Sequence, residues 1–166
     1  VIETLRLAGK HQIIGLLDPK QELWQTHVLE TPVLGGDELL PKLHDQGVRL
    51  AFIGLGSVGE TDQRRRLYNH AISQGFQIVP AIHPKAVVSD AAVVGAAPTI
   101  LALAVINPDA QIEDNVIVNT GAIIEHDCIV NSHVNVATGA VLAASVIVGT
   151  GAHIGAGAII RQGINI

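Results

Sequence analysis

Apolar residues recur with a period of six along the second half of the chain. Ile, Val or Leu occupies every sixth position from Ile82 to Ile166, which makes fifteen consecutive positions in one register. Alternating strands have a period of two and amphipathic helices a period of 3.6, so neither element explains this spacing. Four residues after each of the first fourteen of these positions stands a small or apolar residue and never a charged one.

This spacing predicts the hexapeptide repeats of a parallel β-helix. Each hexad supplies a short strand and a corner, and three hexads close a triangular coil. Residues 82–166 then form nearly five coils, with one aliphatic side chain per hexad pointing to the axis. Hexapeptide β-helices coil left-handed, as an exception to the right-handed crossover rule.

Residues 1–80 carry alternating helix and strand signals instead. Helices are expected over Val1–Ala8, from Asp37 to about Gln46, and from Thr61 or Asp62 through Ser73; strands are expected over His11–Leu17, Val48–Leu55 and Phe76–Val79. Residues 19–36 are expected to form an irregular connection. This order predicts an α/β segment of the Rossmann type at 1–80, followed by a left-handed β-helix domain at 81–166.

Composition narrows the classes of partner. The net charge is −5 and no basic patch is visible, which argues against nucleic acid. No apolar run long enough for a bilayer is free of polar breaks, so no membrane span is expected. The single cysteine cannot form an intrachain disulfide, which favours a reducing, cytoplasmic location.

One hexad differs from its neighbours because three adjacent ionisable residues, Glu125, His126 and Asp127, occupy its corner. Pro108 and Ala144 stand one coil away from His126 on either side, and both are compact. An imidazole with a pKa of about 6.5 suits general-base catalysis, and a carboxylate next to it would hold the ring. A solvated acidic corner with no chemical role explains the same residues equally well.

The other candidates for chemistry give weaker signals. Cys128 takes an inward position and is interpreted as core packing rather than as a nucleophile. His133 and His153 are expected on the solvated surface, with contact to a ligand or a neighbouring chain as the alternative. The separations of His126, His133 and His153 are not whole coils, so no metal site within one chain is expected.

The α/β segment offers a glycine turn and a carboxylate as ligand-binding candidates. Gly54, Gly56 and Gly59 follow a predicted strand, where glycine turns bind phosphates but also occur for purely structural reasons. Asp18 ends another predicted strand and is equally typical of a ribose-binding carboxylate and of an Asp-Pro turn. The arginines 64–66 are interpreted as a solvated helix face.

The sequence "NTGAIIEHDC" at Asn119–Cys128, with "IHPKAVVS" at 82–89, resembles the sugar acetyltransferases of the sialic-acid O-acetyltransferase type. That family of hexapeptide-repeat acyltransferases includes enzymes that N-acetylate nucleotide-linked amino sugars. The resemblance covers nearly the whole chain. It implies a homotrimer with acetyl-CoA bound between adjacent β-helices and no catalytic metal.

The resemblance also assigns roles to individual residues. His126 matches the family's catalytic base and Asp127 its acidic neighbour, while Asp18 and Gly56 match positions that contact the sugar nucleotide. Three further positions match acetyl-CoA contacts: Asn135, where many members carry a second His, Ala144, where Gly is frequent, and Ala156. The family's first strand and glycine-rich loop do not precede Val1, and its final coils do not follow Ile166, so the chain is expected to lack both ends.

The resulting hypothesis is acetyl transfer from acetyl-CoA to an amino or hydroxyl group of a nucleotide-linked sugar in surface-glycan synthesis. The residues leave open which sugar is acetylated and whether nitrogen or oxygen accepts the acetyl group. Two alternatives remain: a non-catalytic trimeric hexapeptide scaffold, and a metal-dependent hydratase of the carbonic-anhydrase type on the same fold.

Overall fold

A computed structural model describes residues 1–57 and 61–166. Residues 1–80 contain short elements in the order α1 (Ile2–Ala8), β1 (Leu16–Leu17), β2 (His27–Val28), β3 (Thr31–Gly35), α2 (Leu40–Asp45), β4 (Leu50–Ala51), α3 (Asp62–Ser73) and β5 (Gln77–Ile78). Single 3₁₀ turns lie at Gln21–Leu23 and Asp37–Leu39. The bounds of α1 and α3 agree with the expected ones, including the stop of α1 at Gly9, whose φ of 66° is left-handed. The helix expected from Asp37 begins instead as the 3₁₀ turn and becomes α-helical only at Leu40.

The strands of this first segment differ from the expectation. Each expected long strand shortens to two residues, and β2 and β3 form an antiparallel hairpin inside the connection expected to be irregular. Leu29 and Glu30 make its tip with positive φ angles of 46° and 61°, as a two-residue hairpin turn requires. Among the described residues β1–β3 and β4–β5 are parallel pairs in separate sheets, and no continuous sheet of the Rossmann type joins them.

The hexad register of the sequence is confirmed over residues 81–160. Strands of two residues recur at every sixth position: β6 (Ala81–Ile82), β7 (Val87–Val88), β8 (Val93–Val94), β9 (Thr99–Ile100), β10 (Val105–Ile106), β11 (Gln111–Ile112), β12 (Ile117–Val118), β13 (Ile123–Ile124), β14 (Ile129–Val130), β15 (Asn135–Val136), β16 (Val141–Leu142), β17 (Ile147–Val148), β18 (His153–Ile154) and β19 (Ile159–Ile160). Each strand from β6 to β16 pairs in parallel with the strand three hexads later, as in Ile117↔Asn135.

These strands form three sheets that enclose one core, the architecture of a left-handed parallel β-helix. Sheet 1 contains β6, β9, β12, β15 and β18; sheet 2 contains β7, β10, β13, β16 and β19; sheet 3 contains β8, β11, β14 and β17. The predicted inward aliphatic residues and the small residues four positions later are buried together along the central coils, Cys128 among them. The aliphatic column and the small column therefore fill the axis side by side.

Every corner from Ala97 to Gly163 contains a residue in the left-handed region, six positions after the previous one, with φ between 56° and 74°. An L-residue other than Gly, Asn or Asp pays about 1–2 kcal/mol for this conformation. Glycine fills five of these positions, and Asp127 and His133 fill two others. The corner geometry is therefore set by the coil, and the side chain at each corner decides its chemistry.

Residues 1–80 pack on sheet 1 and leave sheets 2 and 3 open. The outward residues Ala81, Thr99 and Asn135 of sheet 1 are buried, whereas Val87 of sheet 2 is 62% exposed and Val93 of sheet 3 is 64% exposed. Helix α1 contacts β6, and the Thr61 hydroxyl donates to the Gly151 carbonyl at 2.8 Å. The first segment therefore covers one side of the triangular β-helix.

Candidate active site

His126 and Asp127 form a corner between sheets 2 and 3, which we call the His126 corner (residues 125–128). It follows β13 and precedes β14, and the buried side chains of Ile124 and Cys128 fix the backbone on both sides. The Asp127 N–H donates to the Pro108 carbonyl at 3.3 Å, and the His126 carbonyl accepts from the Ser145 N–H at 3.0 Å. The coil register thus places the 108 and 144 corners directly next to His126, as the three-hexad spacing predicts.

The imidazole of His126 is paired with its sequence neighbour. Nδ1 of His126 lies 2.7 Å from Oδ2 of Asp127, and both side chains are more than half exposed. An ionised carboxylate only accepts, so this hydrogen bond places a proton on Nδ1 and leaves Nε2 of the neutral ring as the basic atom. Asp127 occupies the left-handed position of this corner, with a φ of 60°.

The electrostatics of this corner favour the protonated ring. The hydrogen bond with Asp127 is the largest effect and raises the pKa of His126; desolvation, the next largest, lowers it, and the charges of Asp127, Glu125 and Asp109 raise it further, so the net pKa is raised. Asp109 occupies the same corner position as Asp127 one coil earlier. The result is a base that is stronger than free histidine and accessible from solvent.

Cys128 is confirmed as a core residue. Its side chain is fully buried, its Sγ–H donates to the Ala143 carbonyl at 3.1 Å, and burial raises the pKa of the thiol. A thiol with a raised pKa supplies little thiolate at neutral pH. The acidic corner therefore does not contain an activated sulfur nucleophile.

A second polar site lies where residues 1–80 meet sheet 1. This cavity of about 100 Å³, the junction cavity, is lined by Val1, Gly54, Leu55, Gly56, Ser57, Arg64, Thr99, Leu101, Ile117, Asn119 and Asn135. No described atom lies within 4 Å of the position that a Cβ on Gly54 or Gly56 would take. The glycine turn thus presents bare backbone to open space, although Val58 and Gly59 lie outside the described residues.

Asp18 lies at the end of β1, and its backbone is tied to the neighbouring elements. Its N–H donates to the Gly35 carbonyl at 2.9 Å, and its carbonyl accepts from Nε1 of Trp24 at 2.8 Å. Its Oδ1 accepts from the Lys20 N–H at 2.9 Å, which closes the Asx turn typical of Asp-Pro sequences. The carboxylate therefore has a fixed position at the carboxyl end of a parallel strand.

The three predicted acetyl-CoA contacts lie apart in a single chain. Ala144 is next to His126, and Ala156 lies at an exposed corner between sheets 1 and 2. Asn135 instead faces residues 1–80, where its buried Nδ2 donates to the Ser57 carbonyl and lies 3.1 Å from Nδ1 of His153.

His133 and His153 are not freely solvated, contrary to the favoured expectation. The ring of His133 packs edge-to-face on Tyr68 at 5.6 Å, and its Nδ1 lies 3.0 Å from Nδ2 of Asn115. Desolvation and the charge of Arg65 lower the pKa of His133. Both histidines lie at the junction with residues 1–80, because sheet 1 and its adjoining corner are the surface that this segment covers.

Arg64 departs from the solvated helix face that the arginine run predicts. Its exposed fraction is 3%, and the buried residues of α3 are Arg64, Tyr68 and Ala71. Their spacing of four and then three residues marks one face of a helix. This spacing is visible in the sequence and could have indicated that Arg64 is buried. It is easily overlooked because Arg64 is the first of three consecutive arginines.

The His126 corner and the junction cavity lie on opposite sides of the β-helix. In each triangular coil the corner between sheets 2 and 3 is opposite the side formed by sheet 1. His126 belongs to that corner, whereas Gly56 and Asn135 line the cavity on sheet 1. A single chain therefore does not bring its predicted base and its glycine turn together.

Two groups of solved structures are similar to the chain over nearly its full length. Perosamine N-acetyltransferase from Caulobacter crescentus, in complex with CoA and GDP-perosamine, is 30% identical with a TM-score of 0.82; the match covers 99% of this chain and 84% of that one. The acetyltransferase domain of PglB from Neisseria gonorrhoeae, in complex with acetyl coenzyme A, is 32% identical with a TM-score of 0.86, and the match covers 98% and 76%. Histidine-to-alanine and histidine-to-asparagine mutants of the Caulobacter enzyme match equally well.

WeeI from Acinetobacter baumannii is a more distant structural match. It is 17% identical with a TM-score of 0.67, over 99% of this chain and 88% of that one, and it supports the fold alone. No protein-family model and no curated protein matches the sequence.

Two classes of feature are absent from the part of the chain that the structure describes. Residues 1–57 and 61–166 contain no cluster of three or more His, Cys, Asp or Glu side chains with the geometry of a metal site. None of the described helices has the length and apolar character needed to cross a bilayer.

The geometry of the His126 corner predicts a measurable titration. In NMR titration of the intact protein, the imidazole of His126 is expected to titrate above the ordinary histidine value of about 6.5. Asp127→Asn removes the largest cause of the raised pKa, so the midpoint should move to lower pH. His83→Asn, at a corner of the first coil, is the control and should leave the His126 midpoint in place. An Asp127→Asn protein with an unchanged midpoint would contradict the pairing.

Proposed function

The chain belongs to the hexapeptide-repeat sugar acetyltransferases, and from this we propose that His126 is the general base that assists transfer of acetyl from acetyl-CoA to the amino group of a nucleotide-linked sugar. The activity class is acetyl-CoA-dependent sugar acetyl transfer. The observation that carries the role of His126 is its ring at an exposed corner, hydrogen-bonded through Nδ1 to Asp127. An amino acceptor is favoured because the Caulobacter match at 30% identity is an N-acetyltransferase.

His126 acts through Nε2. It removes a proton from the acceptor amino group while nitrogen forms its bond to the acetyl carbon and the carbon–sulfur bond of the thioester breaks. The protonated ring then supplies that proton to the departing thiolate, so the reaction ends as amide and free thiol. Acetyl-CoA supplies the activated acetyl group, and the reaction requires no covalent enzyme intermediate.

Asp127 orients the ring and stabilises its positive charge during this transfer. The carboxylate hydrogen bond fixes Nδ1–H, and the charges of Glu125 and Asp109 add to the stabilisation. Compact neighbours at Pro108 and Ala144 leave the face of the imidazole open. These features fit a site that admits a thioester and an amine together.

Residues 1–80, for which the sequence predicts a Rossmann-type segment and which form two small sheets among the described residues, are proposed to bind the nucleotide part of the acceptor. Asp18 directly follows β1, and Gly56 lies in the segment that follows β4; both strands belong to parallel pairs, and α/β sheets bind ligands beyond the carboxyl ends of such strands. The bare backbone of the glycine turn allows close approach of a phosphate or sugar. GDP-perosamine in the Caulobacter structure supports a nucleotide-linked sugar as the substrate class.

Ala144 and Ala156 remain proposed backbone contacts for acetyl-CoA, the former next to His126. Asn135 reaches such a site only from the junction cavity, through the side chain that also binds Ser57. A cytoplasmic location is proposed for this reaction, where the free thiol of Cys128 stays reduced.

A homotrimer is proposed because the base and the glycine turn of one chain lie on opposite sides of the β-helix. Around a threefold axis, the His126 corner of one protomer can meet the junction cavity of the next. The open outward faces of sheets 2 and 3 provide aliphatic surface for that contact, with Val87, Val93 and Ile147 exposed. The active site is then shared between two protomers.

Replacement of His126 by alanine tests the base. We expect kcat to fall by about 10²- to 10⁴-fold, the usual contribution of a general base, because the exposed side chain leaves the core intact. Release of free thiol from acetyl-CoA with a panel of nucleotide-linked amino sugars measures this, and His83→Ala is the matched control. A His126→Ala enzyme that keeps more than about a third of wild-type kcat would falsify the role.

Substitutions at Asp18 and Gly56 test whether residues 1–80 bind the acceptor rather than acetyl-CoA. Asp18→Ala removes a carboxylate, and Gly56→Leu places a side chain in front of the glycine turn, where no described atom lies within 4 Å of the Cβ position. Both should raise the acceptor KM and leave the Kd of acetyl-CoA nearly unchanged. The single tryptophan, Trp24, reports acceptor binding by fluorescence because its indole N–H binds the Asp18 carbonyl. A changed acetyl-CoA Kd with an unchanged acceptor KM would refute the assignment.

Mixed trimers test whether the site is shared. Trimers assembled from equal amounts of His126→Ala and Gly56→Leu chains should recover about a quarter of wild-type activity at low acceptor concentration, since independent pairing gives one intact site in four. Each variant alone should be nearly inactive under these conditions. Light scattering that shows a monomer at micromolar concentration, or mixed trimers with no recovery, would contradict the shared site.

A further inference from the structure

We propose that Arg64 is a positioning residue that holds the glycine turn at residues 53–57 against the β-helix and so sets the affinity for the acceptor. This inference rests on the proposed function, because it assumes that the turn contacts the acceptor. It concerns a side chain that takes no part in the proton transfer at His126.

The hydrogen bonds of Arg64 connect three parts of the molecule. From α3, its Nη1 donates to the Ile53 carbonyl at 2.7 Å and to the Leu55 carbonyl at 2.5 Å. Its Nη2 donates to the Thr99 hydroxyl on β9 at 3.0 Å. One planar guanidinium therefore binds both carbonyls around Gly54 and fastens them to sheet 1.

The contacts of Arg64 are made in a nearly dry environment. Arg64 is 3% exposed and Thr99 is 2% exposed, and burial lowers the pKa of the guanidinium to about 10. Burial of a cation is costly unless hydrogen bonds compensate it, and hydrogen bonds to a charged group are stronger than neutral ones. The three bonds of Arg64 come from Nη1 and Nη2, while its buried Nε has no partner among the described residues. Arg64 stays protonated at neutral pH, so its hydrogen bonds to the glycine turn and to Thr99 do not depend on pH near neutrality.

The buried side chain of Ile53 anchors the start of the glycine turn, but few hydrogen bonds hold the described residues that follow it. Gly54 and Gly56 have no side chains, and no described atom lies near the Cβ positions they lack. The other tether in the described part of the turn is at its far end, where the Ser57 carbonyl accepts from Nδ2 of Asn135. Arg64 fixes the entrance of the turn and Asn135 its exit, and both anchors connect to sheet 1.

This arrangement explains why a cation belongs here rather than an apolar residue. An apolar side chain at position 64 would fill space but would leave two carbonyls and a hydroxyl without this donor. A lysine ammonium is a single donor centre and lacks the planar fork that spans the turn and Thr99. Arginine is therefore the side chain whose shape matches all three acceptors.

The test compares Arg64→Met, Arg64→Lys and Thr99→Val with Arg65→Met, in the full chain and with acetyl transfer as the assay. Arg65 is the matched control because it is exposed and pairs with Asp62 at 2.8 Å on the same helix. Arg64→Met should raise the acceptor KM by about ten- to hundredfold, with kcat at saturating acceptor and the acetyl-CoA Kd within about threefold of wild type. Arg64→Lys and Thr99→Val should give smaller increases in KM.

Hydrogen exchange of the turn amides provides a readout that needs no activity. Faster exchange over residues 54–57 is expected in Arg64→Met and not in Arg65→Met, with slower exchange partly restored in Arg64→Lys. If Arg64→Met does not fold, Arg64→Lys and Thr99→Val carry both measurements.

The outcomes separate this inference from the proposed function. A wild-type chain that releases no thiol with any nucleotide-linked amino sugar would refute the proposed function, and with it the effect on acceptor affinity. A wild-type chain that is active, combined with an Arg64→Met KM within about twofold of wild type, would overturn the inference alone. If all Arg64 and Thr99 variants lose kcat as strongly as they lose acceptor affinity, the cause is general destabilisation, which would also overturn it.

Discussion

The stacking of each strand on the strand three hexads later is the constraint on which the rest of the structure depends. Parallel hydrogen bonds such as those between β12 and β15 fix the register, and the inward aliphatic and small columns then fill the axis side by side. Once the strand register is fixed, the position of each corner on the β-helix is fixed as well. His126 reaches solvent at a defined vertex because Ile124 and Cys128 cannot leave the core.

The repetitive part of the fold is readable from sequence because one period governs both the backbone and the core. The positions of Ile124, Cys128 and His126 follow from counting. The first segment is readable only in part, because most of its strands are two residues long and carry little periodic signal. The β2–β3 hairpin turns at Leu29–Glu30, although the sequence has neither the glycine nor the asparagine that usually indicates such a turn.

The sequence predicts the role of some of these residues better than that of others. Adjacent acidic residues indicate the corner at His126, but the sequence alone does not show which of its two acidic neighbours binds the ring, and the structure identifies Asp127. The burial of Arg64 was not predicted from the sequence, because charged residues normally lie on a solvated helix face. In the structure, hydrogen bonds to three acceptors offset the cost of burying this side chain. The family resemblance assigns Asn135 to acetyl-CoA, and its contact with Ser57 arises only when residues 1–80 cover sheet 1.

Because three hexads make one coil, the effect of an insertion or deletion in the β-helix depends on how many hexads it adds or removes. Removal or addition of one full coil between the junction and His126 would shift the base along the axis by about 4.8 Å and keep it at the same vertex. Loss or gain of a single hexad would preserve every inward aliphatic position and leave the core intact. It would nevertheless rotate all later residues by one face, so that the imidazole would emerge at a vertex that adjoins sheet 1. Along this chain, tolerance to insertion is therefore a matter of counting in threes, because a β-helix with an intact core can still present its base at the wrong vertex.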